Sequence, residues 1–205
     1  MASMDDDGYI KYSSKRRDGV VPESAQLQAL NQTRTALFDL GLIGTYPDGV
    51  GYGNLSIRAA DDQFVITASA TGGIRTLDST QYCLVETFSV AQNHVQSRGA
   101  LAASSEAMTH GAIYAANPAV QCVIHVHCRK LFDDWLANNR LATPTDIPYG
   151  TPAMARAVSQ LAAVQAPLPV LFAMAGHDEG MVAYGADVAT THNLLLNEWQ
   201  RSQTP

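Results

Sequence analysis

The chain has 205 residues, a length that suits one domain of ordinary size. Its 46% hydrophobic and 16% charged content is typical of a globular protein and excludes the composition of a disordered chain. The formal net charge of −6 excludes the broad basic surface on which binding to nucleic acids or anionic membranes usually depends. We therefore expect a small-molecule substrate in a local pocket, with no nucleic-acid or membrane partner.

The cysteines and residues 1–19 indicate in which cellular compartment the protein is expected. Cys83, Cys122 and Cys128 are odd in number and lack CxxC spacing, so a disulfide framework is not expected. Residues 1–19 contain no apolar segment of the kind found in signal peptides, and no segment is long enough to span a membrane. We predict a cytoplasmic protein, with a mobile N-terminal tail over residues 1–21 and a single domain over residues 22–205.

The first half of the chain predicts a helix, a strand meander and a second helix. Leucines at helical spacing follow Pro22 and stop before Gly41, which predicts an amphipathic helix. Three short segments, NLSIRA, QFVIT and YCLVETFSVAQ, predict a meander of β-strands. Ser104 and Ser105 precede EAMTHGAIYAA, which predicts a helix because serine caps helix N-termini.

The second half predicts a strand, a helix, two more strands and a final helix. The segment VQCVIHVH predicts a strand, and after a polar region PAMARAVSQLAAV predicts a helix. The strands PVLFAMA and GMVAYG flank the turn GHDE, and DVATTHNLLLNEWQ predicts the last helix. This order favours the α/β class in the broad sense, with a mostly antiparallel central β-sheet and helices packed on its faces.

Two histidines at the end of the fourth predicted strand suggest a metal site. One residue separates His125 from His127, and strand geometry directs side chains at i and i+2 to the same face. A catalytic zinc ion commonly has three protein ligands, and His177 in the turn GHDE is the candidate third. From the residues alone, two simpler interpretations stay open. His125 and His127 can be the polar face of a strand, and His177 can be a solvated histidine in a turn. Asp178 and Glu179 are rival ligands, or residues that orient His177.

Glu106 lies where the second predicted helix begins. An acid there can simply stabilise the helix dipole, and Ser104 and Ser105 can simply cap the helix. A helix N-terminus with two hydroxyls is also suited to a phosphate, and GYGNLS supplies a second loop of small residues. The residues themselves leave both interpretations open.

Taken together, these motifs resemble the class II aldolase/adducin family, the group that includes fuculose-phosphate aldolase. GYGNLSIR resembles the family's GNxSxR loop, SSE its phosphate-and-acid motif, CVIHVH its metal strand and GHDEGMVAYG its third-ligand turn. The motifs occur in the family's order between about residue 22 and residue 198. The resemblance implies a class II aldolase-like three-layer fold for residues 22–205, and a homotetramer with its sites near subunit interfaces.

The resemblance also implies roles for individual residues. His125, His127 and His177 correspond to the metal histidines, which implies Zn²⁺ or another divalent metal as cofactor. Glu106 corresponds to the catalytic glutamate, which contacts the metal and moves protons. The positions that correspond to substrate- and phosphate-binding residues are Asn54, Ser69, Ser104 and Ser105.

The activity that the resemblance implies is that of a zinc-dependent aldolase-type lyase. A metal ion and a carboxylate together support an enediolate intermediate, from which aldol cleavage, loss of water or decarboxylation can follow. A glutamate at position 106 favours the aldolase or dehydratase branch, because the epimerase branch carries aspartate there. We expect aldol cleavage of a small hydroxy-ketone or sugar phosphate. The alternatives are a dehydratase or decarboxylase, a metal hydrolase, and a non-catalytic adducin-like interaction module.

Three local features depart from the family pattern. Ala70 stands where the family's loop has glycine, and the third-ligand turn reads HDEG in place of HG. We find no counterpart to the tyrosine that a neighbouring subunit donates, since Tyr149, the nearest tyrosine, belongs to another motif. The HDEG turn indicates a subgroup with its own substrate.

Overall fold

A computed structural model describes residues 9–164 and 167–204 of the chain. In chain order, the strands of these residues are β1 (Ser13–Arg17), β2 (Gly44–Thr45), β3 (Gly51–Tyr52), β4 (Asn54–Arg58), β5 (Phe64–Thr67), β6 (Tyr82–Ser89), β7 (His94–Arg98), β8 (Cys122–His127), β9 (Val170–Ala173) and β10 (Gly180–Gly185). The α-helices are α1 (Ala25–Asp39), α2 (Ala107–Ala116), α3 (Arg129–Ala137), α4 (Pro152–Val164) and α5 (Val188–Gln203).

Eight of these strands form one sheet, in the order β1-β7-β6-β5-β4-β8-β10-β9. Every neighbouring pair in it is antiparallel except β1 and β7, which run parallel. The short strands β2 and β3 pair with each other outside this sheet. The structure therefore confirms the predicted mixed α/β class with a mostly antiparallel central sheet.

Helices cover both faces of the sheet and make three layers. Side chains alternate along a strand, so Val123 of β8 packs on the α2 and α4 side while Ile124 and Val126 pack on the α1, α3 and α5 side. Leu30 and Leu37, spaced two helical turns apart on α1, are fully buried against the second face. Burial of each such leucine stabilises the fold by roughly 1.5–3 kcal/mol.

One part of the expected N-terminal tail is structured. Residues 13–17 form β1 at the edge of the sheet, although the tail was expected to extend to residue 21. Tyr12 is buried, and its hydroxyl donates hydrogen bonds to the carbonyls of Ala103 (3.2 Å) and Ser104 (2.9 Å). The prediction is wrong for this stretch because polar and basic residues pair through their backbone, which composition does not reveal. Residues 1–8 of the expected tail lie outside the described residues.

Helix α3 and strand β7 occupy segments that the sequence did not predict as regular structure. Helix α3 lies in the region expected to be polar, because Leu131, Phe132 and Trp135 gather on one buried face between charged residues. Strand β7 pairs with β6 in the segment HVQSR, where only Val95 and Ser97 are buried. Both elements depend on tertiary packing more than on a continuous apolar pattern.

The N-terminus of α2 differs in detail from the prediction. Glu106 occupies the N-cap position, and α2 begins at Ala107 with no side-chain cap hydrogen bond. The Ser104 hydroxyl instead accepts a hydrogen bond from the backbone N–H of Glu106 at 3.3 Å. The serines therefore form the turn before the helix and do not cap it.

Cys83, Cys122 and Cys128 are all free thiols. Among the residues described, we find no helix with the length and apolarity required to cross a membrane.

Candidate metal centre and active site

Three histidines meet at one end of the central sheet. His125 and His127 project from the same face of β8, and His177 lies in the turn that joins β9 to β10. Gly180, at the start of β10, is the antiparallel partner of His127, so the β9–β10 turn is carried to the end of β8. One ligand atom from each histidine lies within 4.8 Å of the others, and the Nε2 atoms of His127 and His177 are 3.1 Å apart.

Burial keeps these imidazoles neutral. The three side chains are at most 4% exposed. Burial lowers the pKa of His125 to about 3, and it lowers the pKa of His127 and His177 well below the usual value. The neighbouring histidines lower the pKa of His127 and His177 further, by charge repulsion. Neutral imidazole is the form that binds a metal ion.

The cluster fits a divalent metal ion. His125 Nε2 is buried and has no hydrogen-bond partner within residues 9–164 and 167–204, an arrangement that costs stability unless another group binds to this nitrogen. Two nitrogens bound tetrahedrally to one zinc ion at its usual bond length lie about 3.3 Å apart, close to the 3.1 Å separation of His127 and His177. A set of three imidazoles suits zinc and other first-row divalent metals.

Each imidazole contacts a residue that fixes its orientation. The Asn54 side-chain amide is 3.2 Å from His125 Nδ1, because Asn54 is the partner of His125 in the β4–β8 pairing. The Tyr46 hydroxyl is 2.8 Å from His127 Nδ1. The ring of Tyr149 stacks on that of His177 at 4.1 Å between centroids, with 31° between the planes. The sequence does not predict the contact of Tyr46, because a tyrosine in a turn carries no signal, and Tyr149 belongs to a different sequence motif.

Glu106 is buried at the start of α2, on the sheet face from which His125 and His127 project. Only 3% of it is exposed. Among the described residues, the three histidines alone form the cluster of adjacent ligand atoms, so Glu106 is not a member. Glu106 therefore lies on the same side of the sheet as the histidines, outside the immediate histidine cluster.

The four residues predicted to bind substrate line one small pocket: Asn54, Ser69, Ser104 and Ser105. The remaining wall comes from small residues of two loops, including Gly51 and Gly72. Asn54 belongs both to this pocket and to the contacts of His125, so the pocket adjoins the histidine cluster. A second cavity, of about 200 Å³, shares Gly51 and Ser69 with it.

Ala70 adopts the backbone conformation that its position in the pocket loop requires. Its φ is +61°, in the left-handed region where glycine is favoured. The family's loop has glycine at this position, and the positive φ is the physical reason why glycine is preferred there. The loop keeps the glycine-type conformation with an alanine, at an energetic cost of about 1 kcal/mol.

Asp178 and Glu179, considered as rival ligands, are not in the histidine cluster of the described residues. Both accept hydrogen bonds from Arg129 at the start of α3, with 2.6 Å from Nη1 to Asp178 and 3.1 Å from Nε to Glu179. Glu179 also accepts a hydrogen bond from the Tyr46 hydroxyl at 3.2 Å. They therefore support the turn that carries His177.

A sheet of this order with three buried histidines at its end defines an α/β protein with a candidate metal centre. Residues 47–132 match the model of the family described as Class II Aldolase and Adducin N-terminal domain. This match and the solved structures below confirm the resemblance to the class II aldolase/adducin family. No curated protein sequence matches the chain.

Solved structures with this fold are similar over most of the chain. L-fuculose-1-phosphate aldolase from Thermus thermophilus is 19% identical, with a TM-score of 0.63, over 88% of this chain and 92% of that one. The sugar-phosphate aldolase from Thermotoga maritima is 15% identical, with a TM-score of 0.64, over 88% and 94%. YgbL from Klebsiella pneumoniae, a candidate aldolase/epimerase/decarboxylase, is 19% identical, with a TM-score of 0.63, over 88% and 89%. At these identities the likeness establishes the fold.

Proposed function

We propose that this protein is a divalent-metal-dependent lyase that cleaves a carbon–carbon bond of a small hydroxy-ketone or sugar phosphate by a retro-aldol reaction. The observation that carries the proposal is the group of three buried, neutral histidines beside a pocket lined by hydroxyls and glycines. The family match over residues 47–132 and the fold of two sugar-phosphate aldolases support the choice of reaction.

In this proposal His125, His127 and His177 hold the ion, and zinc is the metal that we expect. A bound divalent ion supplies a Lewis acid for an oxygen of the substrate. The contribution of the chain is to present three neutral imidazoles in a buried site from which bulk water is largely excluded. Asn54 and Tyr46 hold two of these rings in place from their Nδ1 side.

Glu106 is the proposed acid/base. In retro-aldol cleavage, the hydroxyl group β to the carbonyl loses its proton as the carbon–carbon bond breaks. The carbon next to the carbonyl then gains a proton. A carboxylate in a water-poor site can carry that proton between the two positions. Glu106 has this setting at the start of α2, where it is 3% exposed.

Asn54, Ser69, Ser104 and Ser105 are the proposed binding residues for the polar end of the substrate. Hydroxyls, an amide and the backbone N–H groups of small residues can hold an anionic or hydroxylated group without a basic side chain. The pocket shares Asn54 with His125, so a substrate held there lies next to the proposed metal site.

We further propose a homotetramer with active sites near the subunit interfaces, and a cytoplasmic location. The resemblance to the class II aldolase/adducin family supports the first of these, and the three free thiols support the second. Sedimentation of the purified protein tests the tetramer directly.

Metal analysis and product identification test the proposed function. We expect one zinc-class ion per chain, and its loss from the His125→Ala/His127→Ala double variant. Wild-type protein with zinc is then incubated with phosphorylated and unphosphorylated hydroxy-ketones, and the products are identified by mass spectrometry. An aldehyde and a ketone fragment support retro-aldol cleavage, whereas loss of water or carbon dioxide indicates a dehydratase or decarboxylase. Glu106→Gln protein that keeps its metal and full turnover would contradict the role of Glu106.

A further inference from the structure

The hydroxyl of Tyr46 connects His127 to an acidic residue of the third-ligand turn. It lies 2.8 Å from His127 Nδ1 and donates a hydrogen bond to Glu179 Oε2 at 3.2 Å. A tyrosine hydroxyl has one proton and an ionised carboxylate can only accept, so when that proton is directed at Glu179 the hydroxyl oxygen accepts from His127. The Nδ1 atom of His127 then carries the imidazole proton, and its Nε2 atom keeps a lone pair that faces His177.

Glu179 is held in position from a second direction. Arg129 Nε donates to Glu179 Oε1 at 3.1 Å, and the guanidinium also pairs with Asp178. The backbone carbonyl of Glu179 accepts a hydrogen bond from the N–H of Cys128 at 3.0 Å, which ties the turn to the end of β8. These contacts orient the Glu179 carboxylate towards Tyr46.

The backbone at Glu179 indicates that the acidic side chain has a specific use. Its φ is +63°, in the left-handed region, where glycine would avoid the cost that a larger residue incurs. Non-glycine residues in such conformations persist where the surrounding structure over-determines them, and they concentrate at functional sites. The contacts with Tyr46 and Arg129 are what over-determine this conformation.

We propose that Tyr46 and Glu179, anchored by Arg129, are positioning residues that fix the tautomer and ring orientation of His127 so that its Nε2 atom binds the metal ion. The inference rests on the proposed function, because it presupposes that the histidine cluster holds a metal. It assigns a role to the two acidic residues that lengthen the third-ligand turn of this chain. Through Tyr46, Glu179 acts on His127, while Asp178 helps to hold Arg129.

Zinc affinity of hydroxyl-deletion variants provides the first test. Tyr46→Phe removes only the hydroxyl that contacts His127. We expect Zn²⁺ alone, titrated against a chromophoric chelator, to bind about 10- to 100-fold more weakly to Tyr46→Phe. Tyr52→Phe is the matched control, because Tyr52 packs against Tyr46 at 4.6 Å between ring centroids but its hydroxyl donates to the carbonyl of Gly41. Its zinc affinity should stay within about twofold of wild type.

The tautomer of His127 provides a test that needs no metal. Long-range proton–nitrogen spectra of metal-free protein should show His127 protonated at Nδ1 in wild type and in Tyr52→Phe, with this preference lost in Tyr46→Phe. A purely structural role for the hydroxyl would alter stability without changing the protonated nitrogen. The inference is overturned if wild-type His127 carries its proton on Nε2, or if Tyr46→Phe binds zinc as wild type does. Wild-type protein that binds no zinc overturns the proposed function, and the tautomer spectra then report separately on the Tyr46 contact.

Discussion

Gly180 lies so close to His177 that a Cβ atom at position 180 would be 2.7 Å from Cδ2 of the histidine ring. The same atom would also lie 3.0 Å from the carbonyl oxygen of His177. Gly180 therefore allows β10 to begin directly beside the ring, opposite His127 in the β8–β10 pairing. The spacing between His127 and His177 depends on this missing side chain.

Gly180→Ala should weaken zinc binding by roughly tenfold, because the new methyl group must displace the His177 ring or the turn that carries it. Zinc affinity measured by chelator competition checks this. Gly73→Ala is the control, since its Cβ would make an ordinary contact with Thr45 at 3.4 Å. Equal zinc affinities for the two alanine variants would show that the His177 position tolerates the change.

A buried hydrogen-bond group lies beneath the candidate site. The Ser56 hydroxyl is 2.7 Å from His110 Nδ1 and 2.8 Å from the Tyr114 hydroxyl, and all three residues are buried. Ser56→Ala should lower the free energy of unfolding by about 1–3 kcal/mol, because it leaves His110 without this partner. Urea denaturation measures the change.

Ser97→Ala is the matched control for that experiment. Ser97 is equally buried, and its hydroxyl has no hydrogen-bond partner in the part of the chain that the structure describes. Its loss should change the free energy of unfolding by less than about 0.5 kcal/mol. If both serine variants are destabilised alike, the cost comes from lost packing and not from the bond to His110.

A buried arginine holds the loop that lines the candidate substrate pocket. Arg34 is 1% exposed, and its guanidinium donates to the carbonyls of Thr71, Ile74 and Arg75 at 2.6–3.0 Å. Arg34→Met should destabilise the protein by roughly 2–4 kcal/mol, because one buried and two partly buried carbonyls lose their charged donor. Arg75→Met, which removes a fully exposed partner of Asp39, should leave stability unchanged within error. Thermal and urea unfolding check both variants, and a neutral Arg34→Met would contradict this role.

We expect the ion pair between Arg140 and Glu198 to contribute to stability in a pH-dependent way. The hydrogen bond from Arg140, at 2.6 Å, lowers the pKa of Glu198 although burial opposes the shift. Because the pKa is lower in the folded state, the contribution is present above the ordinary value of about 4.5 and is lost as the pH falls through the folded-state pKa. Glu198→Gln should therefore cost roughly 0.5–1 kcal/mol near neutral pH, and less as the pH falls below about 4.5. Urea unfolding at several pH values measures the difference, and a difference independent of pH would contradict the assignment.

Patterns local in sequence were sufficient for most of the architecture. Apolar segments of strand length and leucines at helical spacing predicted α1, α2, α4, α5 and most strands of the sheet, because side-chain periodicity directly reflects which face is buried. The same patterns did not predict β1 or β7, whose polar residues form a strand only because a neighbouring backbone is there to pair with. Helix α3 was missed because its three buried residues are interrupted by charged ones.

The sequence by itself determined the candidate site as a set of residue types in order: Asn54, the two serines before Glu106, the pair His125 and His127, and His177. Strand alternation alone required the two paired histidines to share a face. Only the tertiary structure decided that His177 meets them, because the β8–β10 pairing sets that distance and no local rule does. It also decided which tyrosine supports the site. Tyr46 and His127 are 81 positions apart in the sequence and only the fold brings them together, so their contact cannot be read from the linear chain.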